Sequence, residues 1–456
     1  MLFHTWIFSL FFLFIYLIYI VVRKTRFKNA WLLFASYLFY AWWSPVFLLL
    51  ILYSTCIDYL AVLKMSRSGR RKIWLLLSLI NNLSLLCVFK YSGFIVDGLN
   101  TLLGVFGVHY TLQSPGLLLP VGIFYTFQSM SYTIDYYRGH IPKEPSFICY
   151  ATFVSFFPQL VAGPIERARN LLPQLRVAPP ISKQNIFDGL SLFVTGLFKK
   201  VVLADSLGLY VDKIYDMPGQ YQAPALILAT FAFSWQIYFD FSGYTDMARG
   251  VARALGYNIM LNFNNPYLAT SLKDFWSRWH ISLSTWFRDY VYIPLGGNRR
   301  GTLCTYRNIF LTMIISGLWH GAAWTFVIWG AMHAFAFMLT RALENTGLGR
   351  VRIPRFVRQV LVFTFVTFVW IFFRATCWAD VCLIVTRILF SGFGDPAFPL
   401  VLLVFIFTIW VYQFIHESRF NEILRLAPVR VGIIIAMILS VTLFASGSKA
   451  FIYFLF

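Results

Sequence analysis

The feature that most constrains this chain is a series of apolar runs, each about twenty residues long. The first, at 2–22, contains no Asp, Glu, Lys or Arg. A run of this length crosses the hydrocarbon core of a bilayer as an α-helix. A membrane β-barrel would show shorter, alternating segments, and these runs do not alternate. The sequence therefore predicts an all-α, polytopic membrane protein that forms a single domain over residues 1–456.

Charged residues are too scarce to cover the surface of a soluble protein of this size. They make up 12% of the chain, while 59% is hydrophobic and 20% is aromatic; soluble domains carry roughly 25% charged residues. The net charge of +20 is interpreted as Lys and Arg in cytoplasmic loops, and nucleic acid is not expected as a partner. Basic clusters at 23–28 and 64–72 flank the same end of one hairpin, which places the N-terminus outside if they are cytoplasmic.

The pattern predicts roughly ten to twelve membrane-spanning helices and no internal repeat. The apolar spans lie at about 2–22, 30–45, 46–63, 73–93, 116–137, 187–204, 224–247, 303–319, 323–340, 359–376, 397–415 and 431–447. An ambiguous piece lies at 378–392. The turn between the second and third spans is expected at Ser44 and Pro45.

Three segments in the middle of the chain depart from this pattern. Residues 148–165 are apolar but are interrupted by proline and glycine, and we expect a re-entrant or interfacial segment there. Residues 166–186 are polar and are expected to form a cytoplasmic loop. Residues 270–300 mix Trp, Arg and Asp with apolar residues, which favours a helix lying in the membrane interface.

Ionisable groups at membrane depth are costly and therefore indicate function. Asp240 and Asp246 end one apolar run. A structural role is favoured, in which they cap a helix end or pair with Arg249; direct catalysis is the alternative. Two carboxylates could bind a metal, but no third ligand follows at a diagnostic spacing. The six cysteines also lack metal-ligand spacing, so no metal site is predicted.

A second cluster surrounds His280 within the predicted interfacial helix. His280 is a candidate base, polar strut or pore-lining donor. Lys273, Arg278 and Arg288 form a cationic lip that would suit phosphate groups; the alternative is a solvated or lipid-facing edge.

A third cluster centres on His320, which lies between two apolar runs and is flanked by Gly317 and Gly321. Small neighbours let another chain or a substrate approach the ring closely. A neutral imidazole with a pKa near the working pH is suited to take a proton from an attacking alcohol. His320 is therefore a candidate base, with a structural histidine as the alternative. His333 is expected to be a packing or hydrogen-bonded residue.

Taken together, these segments make the chain similar to a known family. It resembles the membrane-bound O-acyltransferase (MBOAT) superfamily, and within it the bacterial alginate O-acetylase-like branch. The match runs almost from end to end, in the same order. The segments that carry it are LLFASYLFYAWW at 32–43, LLPVGIFYTFQSMSYTIDYYRG at 118–139, FFPQLVAGPIER at 156–167, YFDFSGYTDMA at 238–248, DFWSRWHISLSTWFRDYVYIPLGGNRRG at 274–301, LWHGAAWTFVIWGAMHA at 318–334 and the ending FIYFLF.

The resemblance implies a helical ring that is thinned at its centre, where a tunnel leads to one buried histidine. It implies that His320 is the catalytic residue, which would deprotonate the acceptor hydroxyl or transiently hold the acyl group, and that His280 supports it. It also implies acyl transfer from a cytosolic thioester, with no bound cofactor. Acetyl-CoA is the expected donor, with Arg278, Lys273 or Arg288 near its phosphates.

The resemblance further implies a multi-pass protein of the bacterial cytoplasmic membrane that works with periplasmic acetyltransferase partners. An envelope or extracellular polysaccharide such as alginate would be the final acceptor. D-alanyl export to a cell-wall polymer, and acylation of peptidoglycan or cellulose, remain alternatives. From another class, the chain could be a transporter, although paired inverted repeats are not found. A catalytically inactive scaffold is disfavoured because both histidines are present.

Overall fold

The computed structural model describes residues 1–42, 44–107, 111–113, 123–161, 163–344, 346 and 353–444. These residues form helices and contain no β-strand, so the all-α prediction is confirmed. Contacts divide the chain into two compact units. Unit 1 comprises Met1–Phe193 and Tyr244–Met260, and unit 2 comprises Val194–Gly243 and Leu261–Phe456.

Within the described residues, the α-helices follow one another in chain order. They are α1 (Trp6–Val22), α2 (Lys28–Ala41), α3 (Pro45–Arg67), α4 (Arg71–Leu86), α5 (Ser92–Val105), α6 (Ile123–Tyr137), α7 (Phe147–Ser155), α8 (Phe157–Leu160), α9 (Ala168–Arg176), α10 (Lys183–Leu197), α11 (Asp205–Tyr215), α12 (Ala223–Ala254), α13 (Leu272–Arg278), α14 (Ile281–Phe287), α15 (Gly301–His320), α16 (Trp324–Glu344), α17 (Arg355–Arg374), α18 (Trp378–Phe390), α19 (Leu400–Glu417), α20 (Asn421–Arg425) and α21 (Ala427–Phe444). π-Helical turns at Cys87–Tyr91 and Phe198–Ala204 join α4 to α5 and α10 to α11, and a third at Arg288–Tyr292 follows α14.

Seven helices among the described residues are long and apolar enough to cross a membrane. They are α3, the continuous α4–α5 helix Arg71–Val105, α12, α16, α17, α19 and α21. The other five predicted spans correspond to α1, α2, α6, α10 and α15, which are shorter or more polar. The span predicted at 73–93 is longer than expected because the helix continues through a π-helical turn. Part of the 116–137 span, the end of the 431–447 span and the ending FIYFLF lie outside the described residues.

The turn predicted between the second and third spans is confirmed. Helix α3 begins at Pro45, where a proline costs no hydrogen bond because the first helical N–H has no partner in the helix. The polar segment 166–186 was predicted as a loop, but its first half forms α9, which accommodates Pro173. Helix α9 buries only one face, so its polar composition did not reveal a helix.

The apolar segment 148–165 is broken, as its proline and glycine predict. Helices α7 and α8 meet at a single non-helical residue, Phe156, and the surrounding protein satisfies the freed backbone groups. The N–H of Phe157 donates to Ser36 Oγ at 3.1 Å. The side-chain amides of Gln128 and Gln159 donate to the carbonyl of Phe153 at 2.5 and 3.2 Å. Non-helical backbone at membrane depth requires such partners.

Unit 1 also buries a carboxylate among three helices. Asp58 of α3 accepts hydrogen bonds from Ser78 Oγ at 2.6 Å, from Asn82 Nδ2 at 2.9 Å, and from Ser129 Oγ. These donors belong to α4 and α6, so the carboxylate ties the three helices together. A buried acid requires such hydrogen bonds to offset its desolvation.

In unit 2, α15 and α16 form a closely packed hairpin. A Cβ atom added at Gly317 would overlap the carbonyl oxygen of Phe326, and one added at Gly330 would overlap that of Met313. Small residues at facing positions let two membrane helices approach closely. This approach fixes the position of the turn between the helices, where His320 lies.

Candidate active site

His320 is the last residue of α15, where the backbone turns into an extended Gly321. Its side chain is buried, with 4% of the residue exposed. The imidazole centroid lies 4.9 Å from the ring of Trp319 and 5.2 Å from those of Trp329 and Phe373. His320 therefore lies within an aromatic enclosure.

Gly321 allows this enclosure to form. A Cβ atom at this position would overlap the ring of Phe326, which itself packs 4.9 Å from Phe373. The sequence predicted that small neighbours let another chain or a substrate approach the His320 ring; the group that lies against Gly321 is the Phe326 ring.

His280 lies at a break in the helix rather than inside one. The predicted continuous interfacial helix is wrong at this point, because α13 ends at Arg278 and α14 begins at Ile281. His280 has φ 42° and ψ 55°, the left-handed conformation that only a few per cent of non-glycine residues adopt. Such a conformation persists only where surrounding contacts hold it, and it occurs often at functional sites.

Asn262 holds His280 through a set of hydrogen bonds. The carbonyl of Asn262 accepts from the backbone N–H of Ile281 at 2.9 Å. Its side-chain Oδ1 accepts from the N–H and hydroxyl of Ser282 at 3.2 and 2.9 Å, and lies 3.1 Å from His280 Nδ1. The backbone N–H of Ser282 can only donate, so the Asn262 atom facing Ser282 and His280 is the acceptor Oδ1 and not the amide nitrogen. His280 Nδ1 must therefore be the donor in its contact with Oδ1, and it carries the proton. The lone pair is therefore on Nε2.

His280 Nε2 is buried, and none of the described residues offers it a hydrogen-bond partner. Burial lowers the pKa of His280 to about 3, so the ring is neutral at neutral pH. The ring therefore presents an unprotonated acceptor atom to the interior of unit 2.

One tryptophan contacts both histidines. The Trp319 ring centroid is 6.1 Å from that of His280 and 4.9 Å from that of His320. His280 also packs edge-on against Phe241 of α12 at 4.7 Å. The structure thus brings both predicted histidines into one aromatic cluster.

Three cations were predicted to form a lip beside this cluster, and Arg278 is the most enclosed of them. Its Nε lies 2.7 Å from Asp274 Oδ1, and its Nη1 also pairs with Glu417. Burial raises the pKa of Asp274, but hydrogen bonds from Arg278 and Thr270 and the charge of Arg278 together outweigh it and hold the pKa below its usual range. Arg278 therefore shares its charge with two carboxylates and links α13 to α19.

The other two cations are exposed. Lys273 lies in the first turn of α13, and Arg288 follows α14. The Arg288 guanidinium contacts the neighbouring Asp289 at 2.8 Å but keeps 59% of its side-chain surface exposed. An exposed pair of this kind contributes little stability, so its guanidinium can exchange the partner for a ligand.

The acidic residues of α12 have structural partners. They do not cap a helix end, because α12 continues to residue 254: the polar segment after the apolar run still favours helix. Lys200 Nζ lies 2.8 Å from both Asp205 Oδ1 and Asp240 Oδ1, and all three are buried. Asp246 lies 3.6 Å from Arg249, the partner predicted for it. These contacts favour the structural interpretation over direct catalysis.

Several residues of this region were not predicted. Lys200 could have been found from the sequence, because it interrupts an apolar run. Asn262 and Glu417 carry no such signal, since an asparagine in the segment NFNNP and a glutamate after an apolar run are typical of loops and helix ends. Among the described residues, no group of three His, Cys, Asp or Glu side chains could hold a metal ion.

These observations define a polytopic helical membrane protein with a buried site centred on two histidines. A sequence profile of the MBOAT, membrane-bound O-acyltransferase family, matches residues 30–380. The chain belongs to this family and is an acyltransferase, as the resemblance implied.

Relatives of three kinds are similar to this chain. The probable alginate O-acetylase AlgI of Pseudomonas aeruginosa is 42% identical over 380 residues, which cover 82% of this chain and 72% of that protein. The peptidoglycan O-acetyltransferase of Helicobacter pylori is 37% identical over 384 residues, covering 77% and 72%. The teichoic acid D-alanyltransferase of Bacillus subtilis is 30% identical over 228 residues, covering 47% and 57%.

Proposed function

We propose that this protein passes acetyl groups from cytosolic acetyl-CoA across the bacterial inner membrane for O-acetylation of an envelope or extracellular polysaccharide such as alginate. The observation that carries the proposal is the joint placement of His320 and His280 around Trp319 in one buried aromatic cluster. The similarity to alginate O-acetylases supplies the acyl group and the polymer of the proposal.

The chemistry proposed is a transfer in which the C–S bond of the thioester breaks and a C–O bond forms. His320 takes the proton of the acceptor hydroxyl as its oxygen attacks the acetyl carbon. The same proton then passes to the departing thiolate, which leaves as a thiol. The aromatic surroundings lower the local dielectric, which strengthens each polar contact that develops in the transition state.

His280 is proposed to support this step without exchanging the proton itself. Its Nε2 is an acceptor, so it can receive a hydrogen bond from a hydroxyl or N–H of a substrate. Asn262 keeps that acceptor in place by holding the proton on Nδ1. Orienting the attacking hydroxyl accounts for a large share of the rate of such reactions.

The cationic lip is proposed to bind the phosphates of the donor. Lys273 and Arg288 are exposed and would make direct contacts, while Arg278 has less charge to contribute because two carboxylates already hold it. Charge reversal of Lys273 or Arg288 should raise the donor KM by more than reversal of Arg169, an exposed arginine in the other unit. An unchanged donor KM in both variants would refute this placement.

The acceptor is tested with membrane vesicles that contain the protein and its periplasmic partners. Vesicles receive acetyl-labelled CoA on the cytosolic side and either alginate or peptidoglycan on the other. Label in alginate that requires both the protein and its partners supports the proposal. Label that enters peptidoglycan alone favours the second candidate, a peptidoglycan O-acetyltransferase, which the Helicobacter pylori relative suggests. Release of D-alanine from a carrier thioester, with no use of acetyl-CoA, would contradict both.

A further inference from the structure

Helix α16 carries a third histidine that the proposed reaction does not use. His333 is fully buried, and neither ring nitrogen has a hydrogen-bond partner among the described residues. The sequence predicts a packing or hydrogen-bonded residue: His333 does pack against aromatic rings, but no described residue forms a hydrogen bond with it. An ionisable residue left in this state inside a membrane helix indicates a functional role.

The two tryptophans that enclose His333 share this property. The His333 centroid lies 4.8 Å from Trp329 and 5.1 Å from Trp276, and the two indoles lie 5.7 Å apart. Each indole Nε1 is also buried without a hydrogen-bond partner in the part of the chain that the structure describes. Leaving a buried polar group unpaired is unfavourable. Four such atoms on three mutually contacting side chains therefore indicate a ligand site.

We propose that His333, Trp276 and Trp329 bind the amide-bearing arm of the thioester donor; this deepens the proposed function and rests on it. The two indoles can only donate, and a neutral imidazole donates once and accepts once. That set matches amide carbonyl and N–H groups on a slender chain. The rings around His333 are Trp276, Trp329 and Phe365, none of them charged. An ionised ligand would find no counter-charge on these rings.

Helix register favours the donor over the acceptor as the occupant. The loop before α15 and the end of α16 carry Arg300 and Arg341, which the positive-inside rule places at the cytoplasmic face. His333 lies nine residues into α16, about 14 Å from its start toward that basic end. His320 precedes the start of α16. A cytosolic donor would therefore meet His333 first.

Helix α17 independently supports the same order, in which a donor from the cytosol meets His333 before His320. It starts at the basic end, at Arg355, and its Phe365 contacts His333 at 5.5 Å. Eight residues further along, Phe373 contacts His320 at 5.2 Å. Trp329 touches both histidines, at 4.8 and 5.2 Å, and thus connects this site to the reacting group.

The test is equilibrium binding to the full-length protein in detergent, with coenzyme A and with 3′,5′-ADP, which has the nucleotide but lacks the arm. His333→Phe and Trp276→Phe keep an aromatic ring and remove the polar atoms. We expect the Kd for coenzyme A to rise about fivefold or more in each, as for the loss of one neutral hydrogen bond. The Kd for 3′,5′-ADP should stay constant, and His333→Gln should recover part of the affinity.

Trp410→Phe is the matched control, because it removes another buried indole N–H without a described partner, away from the three histidines. Its Kd for coenzyme A should equal that of the wild type. An unchanged coenzyme A Kd in His333→Phe and Trp276→Phe overturns the inference, as does a raised acceptor KM with normal coenzyme A binding. A wild type that binds no coenzyme A overturns the donor of the proposed function itself.

Discussion

Replacing Asn262 with leucine isolates the contribution of one buried acceptor to the reaction. The Asn262 Oδ1 atom holds the proton of His280 on Nδ1 and also accepts from the N–H and hydroxyl of Ser282. Leucine has a similar volume but accepts no hydrogen bond. The variant therefore removes the contact that fixes the tautomer of His280, while leaving the packing nearly intact.

The magnitude follows from the bonds that are lost. A neutral hydrogen bond contributes about 0.5–1.5 kcal/mol net. If that is the preference for the proton on Nδ1, losing it lowers the ratio of the two tautomers by about 2- to 12-fold, to near equality. The population of the productive tautomer, and with it kcat, then falls by up to about twofold. The unpaired N–H of Ser282 adds a stability penalty of about 1–3 kcal/mol, which affects unfolding but not the donor Kd.

Two measurements separate these effects. Acetyl transfer from acetyl-CoA gives kcat and the donor KM, and 15N NMR of histidine-labelled protein reports which ring nitrogen of His280 is protonated. We expect a lower kcat, an unchanged donor KM and a mixture of tautomers. Ser282→Ala is the matched control, since it removes a neighbouring hydroxyl but leaves the Asn262–His280 bond.

Asn262→Asp provides the opposite perturbation. The new carboxylate still accepts from Nδ1 but favours the imidazolium, so it raises the pKa of His280 from about 3. Protonation removes the lone pair on Nε2. Activity of this variant should therefore fall as the pH decreases across a range in which the wild type is constant. Equal kcat values in the wild type and Asn262→Leu, with one tautomer in both, would refute the reasoning.

Further predictions concern packing and buried charge in unit 2. Gly317→Ala should lower stability by about 1–3 kcal/mol, because the added methyl group overlaps the Phe326 carbonyl; an unchanged thermal unfolding midpoint would contradict the close approach of α15 and α16. Lys200→Met should destabilise by about 3–5 kcal/mol, because it leaves Asp205 and Asp240 buried without their cation. Adding Asp240→Asn to this variant should recover part of the loss, and a double variant no more stable than the single one would show that the charges are not coupled.

The sequence was most informative about helices whose apolar runs match the thickness of a bilayer. It predicted the turn at Pro45 and the break in 148–165, because proline and glycine disrupt helices for local reasons. It missed the continuation of α12 past Asp246 and the helix α9, because both are polar on part of their surface. Apolar content marks burial or lipid contact, while helix formation depends on backbone preference as well.

The candidate site likewise contains residues that the sequence could predict and residues that it could not. His320 and His280 could be selected from the sequence because an imidazole among apolar residues is unusual. The hydrogen bond from His280 Nδ1 to Asn262 could not be predicted, since it depends on the left-handed backbone of His280 and on a contact across 18 residues. The pairing of Arg278 with Glu417 joins helices 139 residues apart, and a spacing pattern along the chain holds no information about it.

The central claim is that His320 carries acetyl transfer, and it is tested by single-turnover release of coenzyme A. Membranes containing equal folded amounts of wild type, His320→Ala and His140→Ala receive acetyl-labelled CoA and the acceptor. His140 is an exposed histidine of unit 1 and serves as the matched control. We predict that coenzyme A release and labelled product fall together by about 100-fold or more in His320→Ala, with His140→Ala equal to the wild type. Equal release from His320→Ala and the wild type would contradict the account.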